Sequence, residues 1–252
     1  MLMLDTQILV HMKNGKRRPQ QDFAIASVSA NEFLFAYDQS NPKVARYYVP
    51  LYFGRGHRLT PPGGQMQPSN HFSRRHRTDR IVIDFNNQHP PMVEYGSVAI
   101  AAAINNQNVR LFDYATEHLP KQDKRSIKDR FVFLMQQRVR CVALDETTIE
   151  VGLELLSKFL EVHSPKGEFR NTVCDRLILA VAQKHGLTFR TEDCLLQRFA
   201  ASRHGAPTRH ADDDLVIDFA AASPHPTRNS GESKGFIHRG WQIAVERQHR
   251  PA

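Results

Sequence analysis

"MLMLDTQI" (Met1–Ile8) sets four apolar residues before a carboxylate and resumes its apolar pattern at Ile8. Met1 to Leu4 has the length and character of a short buried strand, while Ile8, Leu9, Val10 and Met12 continue at helical spacing. Asp5 therefore falls at a strand-to-helix junction. In an open α/β sheet, ligand sites form at such junctions, outside the carboxyl ends of the parallel strands. If the fold is of that kind, the sequence should repeat the unit and place further acids at equivalent positions.

The unit does repeat. "FAIASVS" (residues 23–29) is suited to a second strand, and "ANEFLFAYD" (residues 30–38) turns to helical spacing through Phe33, Leu34 and Tyr37. Farther on, "SIKDRFVFLMQQ" reads as a helix, "RVRCVAL" as a strand, and "DETTIEVGLELLSKFLEVH" as a long amphipathic helix starting near Asp145. "NTVCDRLILAVAQKHG" is another helix, stopped by Gly186, and "LTFRT" is a strand that leads straight to Glu192 and Asp193. Such alternation predicts an α/β fold with a mainly parallel sheet covered by helices.

Two stretches break the rhythm. From residue 41 to about 112, turn formers such as "GRGHRLTPPGGQMQPSN" dominate, with only brief apolar runs, "RIVIDF" and "YGSVAIAAAI", so the segment reads as a loop-rich insertion. Residues 41–80 hold eight Lys or Arg and one acid, nearly all of the net charge of +8. Residues 205–252 read as a linker, rich in Pro, His and Ser, followed by a tail. In that tail "FIHRGWQIAV" suits a last strand and Trp241 an anchor. The expected organisation is one unit over 1–204, with its core at 1–40 and about 113–204 interrupted by the basic insertion.

With 40% hydrophobic residues in 252, the chain can build a real core. Thirty-four Lys and Arg against 26 Asp and Glu favour a polyanionic partner, nucleic acid first. Cys141, Cys174 and Cys194 are too dispersed for a zinc knuckle or a disulfide framework. The longest uninterrupted apolar stretch, Val98–Ile104, is far below the roughly 20 residues that span a bilayer, so the expectation is a soluble cytoplasmic protein with no membrane partner.

Four acids stand out by position. Asp5 and Asp193 follow the ends of expected strands, and Glu32 and Asp175 fall in the first turns of expected helices. Each has a local alternative: Ser29-Ala-Asn-Glu32 and Thr172-Val-Cys-Asp175 have the spacing of capping boxes, and Asp193 suits the N-cap of "CLLQRF". Taken together with their surroundings, "MLDTQILV", "SVSANEFLF", "VALDETTIEVGLELL" and "CDRLILAVAQKHGLTFRTED", they resemble the PIN-domain nucleases. The likeness is greatest to the VapC-type toxin ribonucleases of bacterial toxin–antitoxin pairs, over Met1–Asp38 and about Arg125–Phe199. The resemblance implies a three-layer α/β/α fold and a metal-dependent endoribonuclease that leaves 5'-phosphate and 3'-hydroxyl ends. It assigns metal binding and catalysis to Asp5, Glu32, Asp175 and Asp193, with the hydroxyls of Thr6 or Thr191 supporting them. It also suggests an antitoxin partner and a homodimer. The chain departs from the family at Gln7, where Asn is usual, and in its long basic insertion.

The chemistry of grouped carboxylates points the same way. Their mutual repulsion raises some of their pKa values unless cations neutralise them, and hard oxygen donors suit Mg²⁺ or Mn²⁺. A bound ion would activate a water in line with a scissile phosphate. Lys13, Lys16, Arg17 and Arg18, with Arg74, Arg75 and Arg77, are candidates for phosphate contacts, and Tyr47, Tyr48, Tyr52, Phe53 and Phe72 for stacking on unpaired bases. The histidines His57, His71, His76 and His89 match no ligand spacing. RNA cleavage is the leading expectation. The alternatives are a nuclease directed at DNA and a PIN-like module that binds nucleic acid or protein without cutting it.

Overall fold

Successive residues of a strand face opposite sides of a sheet, and in Leu2–Leu4 (β1) both sides are covered: Met3 and Leu4 are fully buried in two different apolar clusters. The structure is a computed structural model. It describes residues 1–18, 20, 22–37, 45–47, 80–116, 119–165, 167–204, 208–211, 214–220 and 241–246. After β1 come α1 (Thr6–Lys13), β2 (Ala24–Ala26), α2 (Ser27–Phe33), β3 (Phe35–Tyr37), β4 (Ala45–Tyr47), β5 (Arg80–Asp84) and β6 (Met92–Tyr95). Then follow α3 (Ser97–Asn105), α4 (Val109–Ala115), α5 (Lys121–Gln136), β7 (Arg140–Val142), α6 (Glu146–Val162) and α7 (Phe169–Lys184). The series closes with β8 (Thr188–Thr191), α8 (Cys194–His204), β9 (Thr208–Ala211), β10 (Asp214–Asp218) and β11 (Gln242–Glu246).

The central sheet has the order β7-β2-β1-β8-β10-β9. Its first four strands are parallel, with Ala24 opposite Arg140, Met3 opposite Ala24 and Leu2 opposite Thr188. The last two join antiparallel. Helices cover both faces, as the strand–helix alternation predicts. Leu153, Leu156, Leu177, Ile178, Leu196 and Phe199 bring α6, α7 and α8 onto one face, and Ile8, Ile100, Ile127 and Phe131 bring α1, α3 and α5 onto the other. Two of these helices have sequence-encoded ends. Asp145 caps α6 by accepting from Thr148 N at 2.8 Å, and Gly186 takes a φ of +57° just past α7.

Several boundaries differ from the expected ones. The second strand ends at Ala26 and α2 starts at Ser27, because the Ser27 hydroxyl turns inward to Ser97 Oγ at 2.8 Å. That helix stops at Phe33, where Arg130 Nη1 donates to the carbonyls of Phe33 (3.0 Å) and Phe35 (2.7 Å), and the chain becomes β3 instead of continuing as a helix.

Within the expected insertion, residues 80–112 are an integral part of the hydrophobic core. Ile81, Ile83 and Phe85 join the cluster on one face of the sheet, and Ile100, Ile104 and Phe112 the cluster on the other. A second sheet, β11-β5-β6, ties this segment to the tail, with Ile243 opposite Ile83. Trp241 is buried there, edge-on to Phe85 at 5.2 Å, and donates from Nε1 to Gln88 at 3.2 Å. β9 and β10 come from residues expected to be linker, since "LVID" alternates well enough to pair with β8. Among the described residues no helix is long and apolar enough to cross a membrane.

Candidate active site

β1 has β2 on one side and β8 on the other, the arrangement in which open α/β sheets form ligand sites at the carboxyl ends of their strands. Asp5 prolongs the ladder by donating its N–H to Arg190 O at 3.1 Å, which sets it beside Thr191. Its carboxylate is fixed from two sides: Oδ1 accepts from Thr6 N at 2.7 Å and Oδ2 from the Thr191 hydroxyl at 2.7 Å. The same Thr191 oxygen accepts from Asp193 N at 3.0 Å. On the far side, the Thr6 hydroxyl donates to Glu32 Oε2 at 2.8 Å. Thr6 and Thr191 thus link the acids of three elements, each hydroxyl touching one of the carboxylates assigned from sequence.

The local capping alternatives divide. Asp193 does cap α8, Oδ1 accepting from Leu195 N at 2.7 Å and Leu196 N at 3.1 Å, and Asp5 caps α1. Glu32 and Asp175 do not. Their helices begin earlier than the capping-box spacing requires, at Ser27 and Phe169, so Glu32 sits near the end of α2 and Asp175 in the second turn of α7. The charged neighbours of Asp175 are Asp5, Arg176, Glu32 and Asp193.

Crowding and burial show in the acid strengths. Burial, with Asp5 next and then Glu32 and Asp193, pushes Asp175 up to about 8, with Arg176 opposing. Asp5 is raised by burial, and Asp193 and Glu192 add to this against the Thr191 and Thr6 hydrogen bonds. Glu32 is raised by burial, with Asp5 and Glu94 adding against hydrogen bonds from Thr6 and the Cys174 thiol. These are groups that gain from a nearby cation. The donors present, carboxylates and hydroxyls, are of the hard type that Mg²⁺ and Mn²⁺ prefer. Among the described residues no three His, Cys, Asp or Glu side chains stand close enough together to hold a metal ion as they are placed.

Three charged groups at the site escaped the sequence reading. Glu94, buried on β6, pairs with Arg170 of α7 and accepts from Asn31 Nδ2 at 3.4 Å. Arg176 lies fully buried beside Asp175. Glu192 gathers His11 Nδ1 (2.8 Å) and Arg17 Nε (2.9 Å) at the rim. A signal existed for Glu94: strand alternation puts it on the same side as buried Met92 in "MVEY", an acid where an apolar residue belongs.

Of the expected phosphate-binding residues, Arg17 is held by Glu192, Lys13 pairs with Asp129 at 2.6 Å, and Lys16 and Arg18 are exposed. Arg74, Arg75 and Arg77 lie outside the described residues, as do Tyr48, Tyr52, Phe53 and Phe72. Comparison of the chain with protein-family models, with curated proteins and with solved structures finds no match in any of the three.

Proposed function

We propose that this protein is a PIN-type, metal-dependent endoribonuclease whose site is formed by Asp5, Glu32, Asp175 and Asp193. One observation carries the reading: Asp5, Glu32 and Asp193, carboxyl groups from three other elements, all act on the buried carboxyl of Asp175 beside the switch point of the sheet. Structural caps have no need to meet in this way, and two of the four are not caps at all. The strongly raised pKa of Asp175, buried among other acids, is also the pattern that functional carboxylates show.

In this reading Asp5 and Asp193 are the most direct ligands of Mg²⁺ or Mn²⁺, and Glu32 and Asp175 complete the charge. A bound ion supplies an activated water and neutralises the departing oxygen. The chain's own part is orientation. Two hydrogen bonds fix the plane of the Asp5 carboxylate and leave a lone pair on each oxygen, and the Thr6 hydroxyl holds Glu32 against the start of α1. Lys16 and Arg18, exposed near the rim, and the basic residues 41–80 would draw a polyanion toward an acidic centre that repels it. RNA is favoured over DNA by the resemblance to toxin ribonucleases, which also motivates the search for an antitoxin and a homodimer.

The test is incubation of total RNA with wild type and with Asp5→Asn, with and without Mn²⁺, followed by mapping of the ends. Cleavage should require the metal, leave 5'-phosphates and fall at least about a hundredfold in the variant. Equal cleavage by both proteins would overturn the assignment. A single-stranded DNA arm distinguishes the substrate.

A further inference from the structure

The basic run at the end of α1, "KNGKRR" (residues 13–18), is shaped by its own backbone. Gly15 takes a φ of +71°, which glycine adopts at no steric cost, and the chain doubles back so that Lys16 N and Arg17 N both donate to His11 O, at 2.9 and 3.3 Å. Arg17 thereby comes beside His11, and the two side chains meet at one oxygen. Glu192 Oε1 accepts from His11 Nδ1 at 2.8 Å and from Arg17 Nε at 2.9 Å, and Arg17 Nη2 lies 2.9 Å away. A carboxylate can only accept, so His11 carries a proton on Nδ1. Glu192 is fixed in turn by its chain neighbours: the Thr191 hydroxyl binds the Asp5 carboxylate, and Asp193 N donates back to Thr191. Lys13 ties the start of the run to Asp129 of α5 at 2.6 Å. The Arg17 side chain is 21% exposed, whereas Lys16 and Arg18 on either side of it are exposed. One cation of the loop is therefore tethered next to the acids, and two are presented to solvent.

We propose that Glu192 is a positioning residue: its bonds to His11 and Arg17 clasp residues 13–18 against the β8–α8 turn, so that Lys16 and Arg18 seat the phosphates of a single-stranded polynucleotide on either side of the cut. This deepens the nuclease reading and rests on it for the cut. A loop already held in shape loses less freedom when a strand binds than a loose one does, which raises affinity without adding a contact. The sign of the effect is diagnostic. By charge alone, an acid beside an anion-binding loop weakens binding, and its removal strengthens it. By position, removal of Glu192 weakens binding.

The experiment measures binding of an end-labelled oligouridine to the whole chain in EDTA, by fluorescence anisotropy over a series of salt concentrations. Lys16→Ala with Arg18→Ala should weaken binding about tenfold at low salt and flatten the slope of log affinity against log salt by about 1.4, the loss of two single-strand phosphate contacts. Glu192→Ala should weaken binding about threefold and take part of that slope with it. Glu192→Gln is equally uncharged but keeps an acceptor oxygen, so its affinity should fall between those of wild type and Glu192→Ala. In the background lacking Lys16 and Arg18, Glu192→Ala should change little. A loss that persisted there would mean a general disturbance of the fold and would overturn the proposal. So would binding by Glu192→Ala as tight as wild type or tighter, or no binding by wild type. Metal-dependent RNA cleavage with binding indifferent to Lys16 and Arg18 would sink the clasp and leave the nuclease reading standing. The expected binding pattern in a protein that cuts nothing would do the reverse.

Discussion

With its carboxyl pushed up to about 8 by burial and then by Asp5, Glu32 and Asp193, Asp175 keeps its proton in the folded chain at pH values where the unfolded chain has lost it. The sign of the linkage follows. Its contribution to stability is complete below the ordinary value of 3.8 and disappears as pH rises toward about 8. Asp5 and Glu32, raised for the same reason, act in the same direction. Metal-free protein should therefore lose melting temperature between about pH 5 and 8, and Asp175→Asn should flatten that loss, as scanning calorimetry in EDTA would reveal. Mn²⁺ should restore more stability at pH 8 than at pH 5 in wild type. Asp5 and Asp193 were legible because each stands at a strand–helix junction, a purely local property, whereas Glu32 and Asp175 were picked out by a helix-start spacing that the structure does not use. Arg176 and Glu94 were not, since their meaning comes from Phe159, Phe199, Asp193 and Arg170, all distant along the chain or visible only once α7 is packed.

Helix α6 illustrates what a local signal settles well. Asp145 accepts from Thr148 N at 2.8 Å, from Thr148 Oγ1 at 2.6 Å and from Thr147 Oγ1 at 3.0 Å, and also meets Lys184 at the end of α7. Burial raises its carboxyl, but the hydrogen bonds from Lys184, Thr148 and Thr147 together outweigh this and hold it well below the usual carboxylate range. Asp145→Ala should cost about 1–2 kcal/mol in urea unfolding through the lost cap, with RNA cleavage unchanged. The half-exposed pair with Lys184 adds little, because solvent screens it. Local signals fail at α2, where the Ser29–Glu32 spacing imitates a helix start. Tertiary partners fix the true start at Ser27, whose hydroxyl binds Ser97 of α3. A further nonlocal device guards the sheet edge: Asn105 of α3 donates from Nδ2 to Cys141 O at 2.8 Å and accepts from Cys141 N at 2.7 Å. Its amide thereby occupies groups of β7 that a further strand would use.

For the molecule as a whole, the alternation of strand and helix patterns foretold a mostly parallel sheet flanked by helices but not how its ends are secured. The segment from residue 80 looked peripheral because turn formers precede it and its partner strand, β11, lies at the far end of the sequence. Trp241 joins the two, packed on Phe85, which in turn meets Phe169 of α7 at 5.0 Å. Trp241→Ala should therefore destabilise the entire protein by about 3–5 kcal/mol in a single cooperative unfolding step, instead of merely freeing a tail. A broadened or two-step transition would mean that the smaller sheet melts independently. The strand order carries one more consequence. Asp5 is synthesised well before the strand that pairs beside it, β8, and before the adjoining Asp193. A polypeptide that stops short of β8 holds the first acid without its later companions, so the proposed site cannot assemble in it.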